Sequence, residues 1–178
     1  MTRTLATESF VLITLGGRGT EDKGLGVDRR GEQLYDAIAE LPVDSVIAGW
    51  PQTAIESVPY LSRRGALLTF ETHQAFHRKY AEEMRRRMRA LIDVMFATSY
   101  APLIRLREDF GATHLLVHLP HLRGGRLSYF KPFDRWIAAA RARRAAGSLV
   151  LQELVDDASV YRDHRYALVD LRELDAAE

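Results

Sequence analysis

No cysteine occurs among the 178 residues. That excludes disulfides, zinc–thiolate sites and thiol nucleophiles, and it is compatible with any redox compartment. Lysine is scarce, because 22 of the 25 basic residues are arginine. An excess of one charge is missing as well. The formal net charge is +1, so binding to nucleic acid would need a local patch, and no nucleic-acid partner is expected. Long apolar runs are absent too. Phe10 to Leu15 is far too short to span a bilayer, Glu8 precedes it, and no small-residue cleavage site follows. The usual catalytic signatures are lacking: no G-x-S-x-G elbow, no G-x-G-x-x-G fingerprint and no P-loop. No two acids sit at a spacing on one element that would argue for general acid–base work, and no cofactor is expected.

What is present is an ordinary globular balance, 47% hydrophobic and 28% charged, with length for one domain and a full core. Residues 1–26 read as a lead-in strand (Phe10–Leu15) and a glycine loop (Gly16–Gly26). Residues 27–178 read as a single α/β domain. Asp28 is a good N-cap for a helix with Leu34, Tyr35, Ile38 and Leu41 on one face, stopped by Pro42. Ser45–Ala48 is a strand, and Thr53-x-x-Glu56 matches a capping box ahead of a short helix limited by Pro59. Ala66–Phe70 is the next strand.

From His73 to Ala97, Phe76, Tyr80, Met84, Met88, Leu91, Ile92 and Met95 recur at helical spacing. A helix over Ala101–Asp109 and a strand over His114–Leu119 follow, and Pro132 opens a helix that Gly147 ends. Leu149–Leu154, Ala158–Tyr161 and Tyr166–Leu171 read as strands, the last two as a hairpin across Arg162–Arg165. The order predicts a three-layer sandwich of Rossmann-like kind, with a mostly parallel sheet and antiparallel strands at its C-terminal edge.

Ligands of open α/β sheets bind where strands release the chain. By that rule the candidates are Trp50, Gln52, Glu71, Thr72, His73 and His121, with Arg63 and Arg64 as anion binders ahead of the third strand. Each also has a packing or capping use. His73 and His77 stand four apart on one helix, and His114 and His118 share a strand face. The helical pair lacks the Glu of an H-E-x-x-H motif, so hydrogen-bonded histidines are expected rather than a metal site. Arg85, Arg86, Arg87 and Arg89 cannot all lie on one helix face, and Glu82 and Glu83 sit at pairing distance. These arginines, with Arg141, Arg143 and Arg144, gain interest only if both helices lie on one side, where they could meet lipid headgroups.

An ordered series runs through the chain. It comprises Gly31-Glu-Gln-Leu-Tyr, Asp44-Ser-Val-Ile-Ala-Gly-Trp-Pro51, Val58-Pro-Tyr-Leu-Ser-Arg-Arg64, Leu67-Leu-Thr-Phe-Glu-Thr-His73 and Tyr80 with Arg85-Arg-Arg-Met. It continues through Leu103–Leu106, Phe110-Gly-Ala-Thr-His-Leu-Leu-Val117 and Tyr166-Ala-Leu-Val-Asp-Leu171. Over residues 27–174 the series resembles the soluble C-terminal domain that follows the membrane region of bacterial polytopic glycosyltransferase-like proteins, similar to the protein-mannosyltransferase group.

The resemblance implies a domain on the extracytoplasmic face, partnered by a membrane-embedded portion or membrane protein and near a glycan or lipid-linked sugar. The lipid-linked donor site and a catalytic acid would belong to the membrane part, which these residues do not include. A non-catalytic domain assisting glycan or acceptor binding is therefore the expectation. The alternative is a free-standing, cytoplasmic α/β binder or enzyme acting on an anionic phosphate or sugar-phosphate ligand through Glu71, His73 and His121.

Overall fold

A computed structural model describes residues 32–73, 77–143 and 149–174. The expected lead-in strand, the glycine loop, the Asp28 cap, Phe76 and Gly147 lie outside the described residues. The chain runs α1 (Glu32–Ala39), β1 (Val46–Gly49), a 3-10 turn (Ala54–Ser57), α2 (Val58–Leu61), β2 (Gly65–Ala66) and a second 3-10 turn (Glu71–His73). It continues with α3 (Arg78–Met95), α4 (Ala101–Phe110), β3 (His114–His118), α5 (Leu119–Leu122), α6 (Phe133–Arg143), α7 (Val150–Asp157), β4 (Ser159–Arg162) and β5 (Tyr166–Asp170).

The sheet order is β2-β1-β3-β5-β4. β1 pairs in parallel with both β2 and β3, whereas β5 runs antiparallel to β3 and to β4. Side-chain alternation builds two cores. Ala48, Leu115, Val117, Ala167 and Val169 face the layer of α3, α4, α6 and α7, and Ile47, Leu116 and Leu168 face α1 and α2. Because strand side chains alternate, register pairs such as Leu115 with Val169 and Leu116 with Leu168 load both faces. The result is an α/β sandwich of three layers with an antiparallel C-terminal edge. Among the described residues no helix is long and apolar enough to cross a membrane.

Three local expectations are corrected. Leu149–Leu154 is not a strand, because Val150–Asp157 is helical. Val150, Leu151, Leu154 and Val155 are buried, a helical spacing that a short apolar run disguises. The strand expected over Ala66–Phe70 is cut to Gly65–Ala66, with one further ladder bond from Leu67 N–H to the Ile47 carbonyl (2.8 Å). The long helix starts at Arg78 rather than His73, and its buried face is Met84, Met88, Leu91, Ile92, Val94 and Met95, while Tyr80 is exposed.

Candidate functional site

The parallel strands β1, β2 and β3 release the chain at one edge of the sheet, and the loops they feed are tied together there. β1 ends at Gly49, where a Cβ would stand 3.2 Å from the Ile55 side chain, so any larger residue would require Ile55 to shift by a few tenths of an ångström. Trp50 follows, buried, and its carbonyl accepts the Thr53 hydroxyl at 2.6 Å. Gln52 is exposed and takes a left-handed backbone (φ 64).

The predicted capping box does not form. Thr53 makes no side-chain cap, and Glu56 reaches elsewhere. Its carboxylate accepts the Gln52 N–H at 2.7 Å and the Phe70 N–H at 2.9 and 3.0 Å. One carboxylate thus clamps the exit of β1 to the exit of β2. The spacing that suggested a local cap is used for a tertiary link.

Past β2, the Thr72 hydroxyl donates to the Thr69 carbonyl (2.6 Å) and accepts the Thr69 N–H (3.1 Å), so it closes its own turn. Glu71 is exposed and accepts the Tyr60 hydroxyl at 3.3 Å, and its charge raises the Tyr60 pKa. His73 ends the same 3-10 turn.

β3 ends at His118, and α5 brings His121 back over it with ring centroids 4.4 Å apart, edge to face. His121 also meets the Trp50 ring edge to face (6.3 Å), and His118 lies tilted on Tyr166 (5.1 Å). Among the described residues Nδ1 of each imidazole is buried without a hydrogen-bond partner. Burial lowers both pKa values. His118 is pushed down to about 4, with His121 and Arg165 adding to the effect. At pH 7 the neutral form of His118 is favoured, and burial biases His121 the same way.

Beside Trp50 an aromatic cluster assembles from a segment that the strand-end rule does not cover. Trp50 meets Tyr129 (6.3 Å), Tyr129 meets Phe70 (6.1 Å) and Phe130 (4.5 Å), and Phe70 meets Phe130 (6.0 Å, near perpendicular). Trp50 and Tyr129 are buried, whereas Phe70 and Phe130 are 38% and 43% exposed. Burial raises the Tyr129 hydroxyl pKa, with the Glu56 charge adding to it. Tyr129-Phe130, close to Pro132 and Phe133, was the available signal, visible only as a local aromatic concentration.

The structure gathers Trp50, Gln52, Glu71, Thr72 and His121 at this edge, with the backbone of His73 in the same turn. Arg63 and Arg64 are not there. They precede β2, at the opposite edge of the sheet, where Gly65 N–H bonds the Ser45 carbonyl. The Arg64 guanidinium donates to the carbonyls of Leu41 (2.8 Å) and Ala39, a cation on the carbonyl end of α1. Arg63 is exposed in a left-handed turn conformation.

The other histidines do not converge on the site either. His77 opens α3, and His114 starts β3, four residues or about 13 Å from His118. His114 is fully buried, with Nδ1 2.9 Å from the Thr113 hydroxyl and Nε2 3.7 Å from the Asp170 carboxylate. A Thr–His–Asp order resembles a hydrolytic triad. Here, however, the Thr113 oxygen also accepts the Val46 N–H (3.0 Å) and lies 3.2 Å from the Val46 carbonyl, so it locks β3 to β1. Among the described residues no group of three or more His, Asp or Glu side chains is placed to hold a metal ion. The strand-end edge thus carries an aromatic shelf, carboxylates at its rim and buried imidazoles beneath.

No protein-family model matches the chain, and no curated protein matches it. Among solved structures, the chain is similar to the C-terminal globular domain of an oligosaccharyltransferase from Archaeoglobus fulgidus. The two are 10% identical, the match covers 83% of this chain and 98% of that one, and the TM-score is 0.46. A likeness of that degree carries no argument about function.

Proposed function

We propose that this chain is the non-catalytic soluble domain of a membrane glycosyltransferase-like protein, held at the extracytoplasmic face, and that its strand-end edge holds a glycan or acceptor. The observation that carries the reading is the Phe70–Phe130 pair, two exposed rings fixed at right angles on a buried floor of Tyr129 and Trp50. A sugar presents a face of C–H groups and a rim of hydroxyls. The negative face of an aromatic ring suits the first, and carboxylates or amides suit the second. Glu71 and Gln52 are exposed at this edge, and their side chains offer that chemistry. The ordered residue series from Gly31 to Leu171 supports the membrane half of the reading.

The test is saturation-transfer NMR on the full chain with simple mono- and disaccharides. Transfer from the wild type to the sugar is expected, and it is expected to be lost in a Phe70→Ala/Phe130→Ala double variant, with no turnover in either. Transfer that survives in the double variant, or none from the wild type, removes the glycan assignment. Membrane segments encoded in the same or an adjacent reading frame are the expectation for the membrane half, and their absence from the genomic context would remove that half.

A further inference from the structure

α3 forms one wall of two clefts in the helical layer. One, of about 280 Å³, lies against α6 and is lined by Arg89, Asp93, Trp136 and Arg143. The other, of about 230 Å³, lies against α4 and is lined by Arg86, Arg89, Asp93, Arg105 and Asp109. Arg89 and Asp93 belong to both. The basic stretches of α3 and α6 therefore meet on one side of the molecule.

Arg89 is the centre of this arrangement. Its guanidinium lies over the Trp136 ring, 4.0 Å from the centroid. Stacking uses the flat face of a guanidinium and leaves its in-plane N–H donors unspent. Among the described residues Arg89 has no hydrogen bond or ion pair, and Arg105 across the cleft has none either. Arg86 differs: it stacks on Phe110 (4.4 Å) but gives its Nε–H to Glu83 (2.9 Å). Arg143 comes only within 4.0 Å of Asp93. Across the two clefts Arg86, Arg89, Arg105 and Arg143 outnumber Asp93 and Asp109. A phosphate, with several oxygens around one centre and up to two negative charges, can accept from two guanidinium forks carried on different helices.

We propose that the cleft between α3 and α4 binds a phosphate group, with Arg89, seated on Trp136, and Arg105 as its donors. The remaining volume takes the alcohol that the phosphate esterifies. Two sources carry this chemistry, a phospholipid headgroup at a bilayer surface and a soluble phosphate compound. No residue is shared with the Phe70–Phe130 shelf, so this site stands or falls apart from the glycan reading.

The experiment uses the full chain and two probes. Inorganic pyrophosphate is titrated calorimetrically. Vesicles of phosphatidylcholine, with and without one-third phosphatidylglycerol, are used in co-sedimentation at low and high salt. Binding of at least one anionic probe is expected, weakened by salt and about tenfold or more weaker in Arg89→Ala/Arg105→Ala. Arg89→Lys keeps the charge but loses the fork and is expected to weaken binding several-fold. Arg85→Ala removes an exposed arginine of the same helix that lines neither cleft, and it should leave binding within about twofold. Vesicle binding without pyrophosphate binding assigns the headgroup, and pyrophosphate binding assigns the soluble source. Binding of neither probe, or equal losses in Arg85→Ala and the double variant, overturns the proposal.

Discussion

Acidification should destabilise this fold between pH 6.5 and pH 4. The cause is the imidazole pair of His118 and His121, together with the buried His114, all with lowered pKa values. A histidine whose folded pKa lies below its unfolded value binds more protons when unfolded. Its contribution is complete above about 6.5 and is lost as pH falls towards the folded pKa. For His118 the drop from 6.5 to about 4 sets a ceiling of about 3 kcal/mol, at about 1.4 kcal/mol per unit. The ring is only half-buried, and solvent screening reduces this to about 1–2 kcal/mol.

For a chain of this size that corresponds to a fall in melting temperature of about 5 °C from His118 alone. Asp163 and Asp170 have lowered carboxyl pKa values, so their stabilisation is lost only beneath this window. The assay is calorimetric melting at half-unit pH intervals, on the wild type and on His118→Asn, which cannot ionise. The variant should melt lower than the wild type near pH 7 and fall less steeply on acidification. A wild-type melting temperature that is flat from pH 7 to 4.5, or an unchanged slope in His118→Asn, would refute the reasoning.

Glu56→Ala should cost about 1–2 kcal/mol by freeing the Gln52 and Phe70 amides, and hydrogen exchange should accelerate at those two positions in particular. Arg64→Met should lower stability by about 1 kcal/mol through the uncapped end of α1, read in urea melts, without altering any anion affinity. Leu91→Ala and Ile38→Ala, each fully buried but in different cores, should each cost about 2–5 kcal/mol in denaturant titrations. Because the two lie on opposite faces of the sheet, their effects should add in the double variant, and strong non-additivity would contradict the three-layer description.

Local pattern determined much of the architecture. The stripe Met84–Met88–Leu91–Ile92–Met95, the hairpin around Arg162–Arg165 and the glycine-and-proline exit after β1 follow from periodicity and turn chemistry, which act within a few residues. It also marked Trp50, Gln52 and His121 as residues just past strand exits, because an exit from a strand is a local event, whereas Glu71 and Thr72 lie in the 3-10 turn that follows the short β2. Where a run was short and apolar, as at Leu149–Leu154, local pattern left helix and strand equal, and packing of Leu151, Leu154 and Val155 onto the sheet decided for helix. Partnership was beyond it altogether. Glu56 has the spacing of a cap, yet its carboxylate satisfies Phe70, 14 residues away. Arg64 has the look of an anion binder, yet the α1 carbonyls take its donors. Tyr129 and Phe130 join Trp50 and Phe70 only because the sheet order brings distant loops together. A side chain's conformation is written in its neighbours along the chain. Which group satisfies its hydrogen bonds or covers its ring is fixed by whatever the fold brings within a few ångströms.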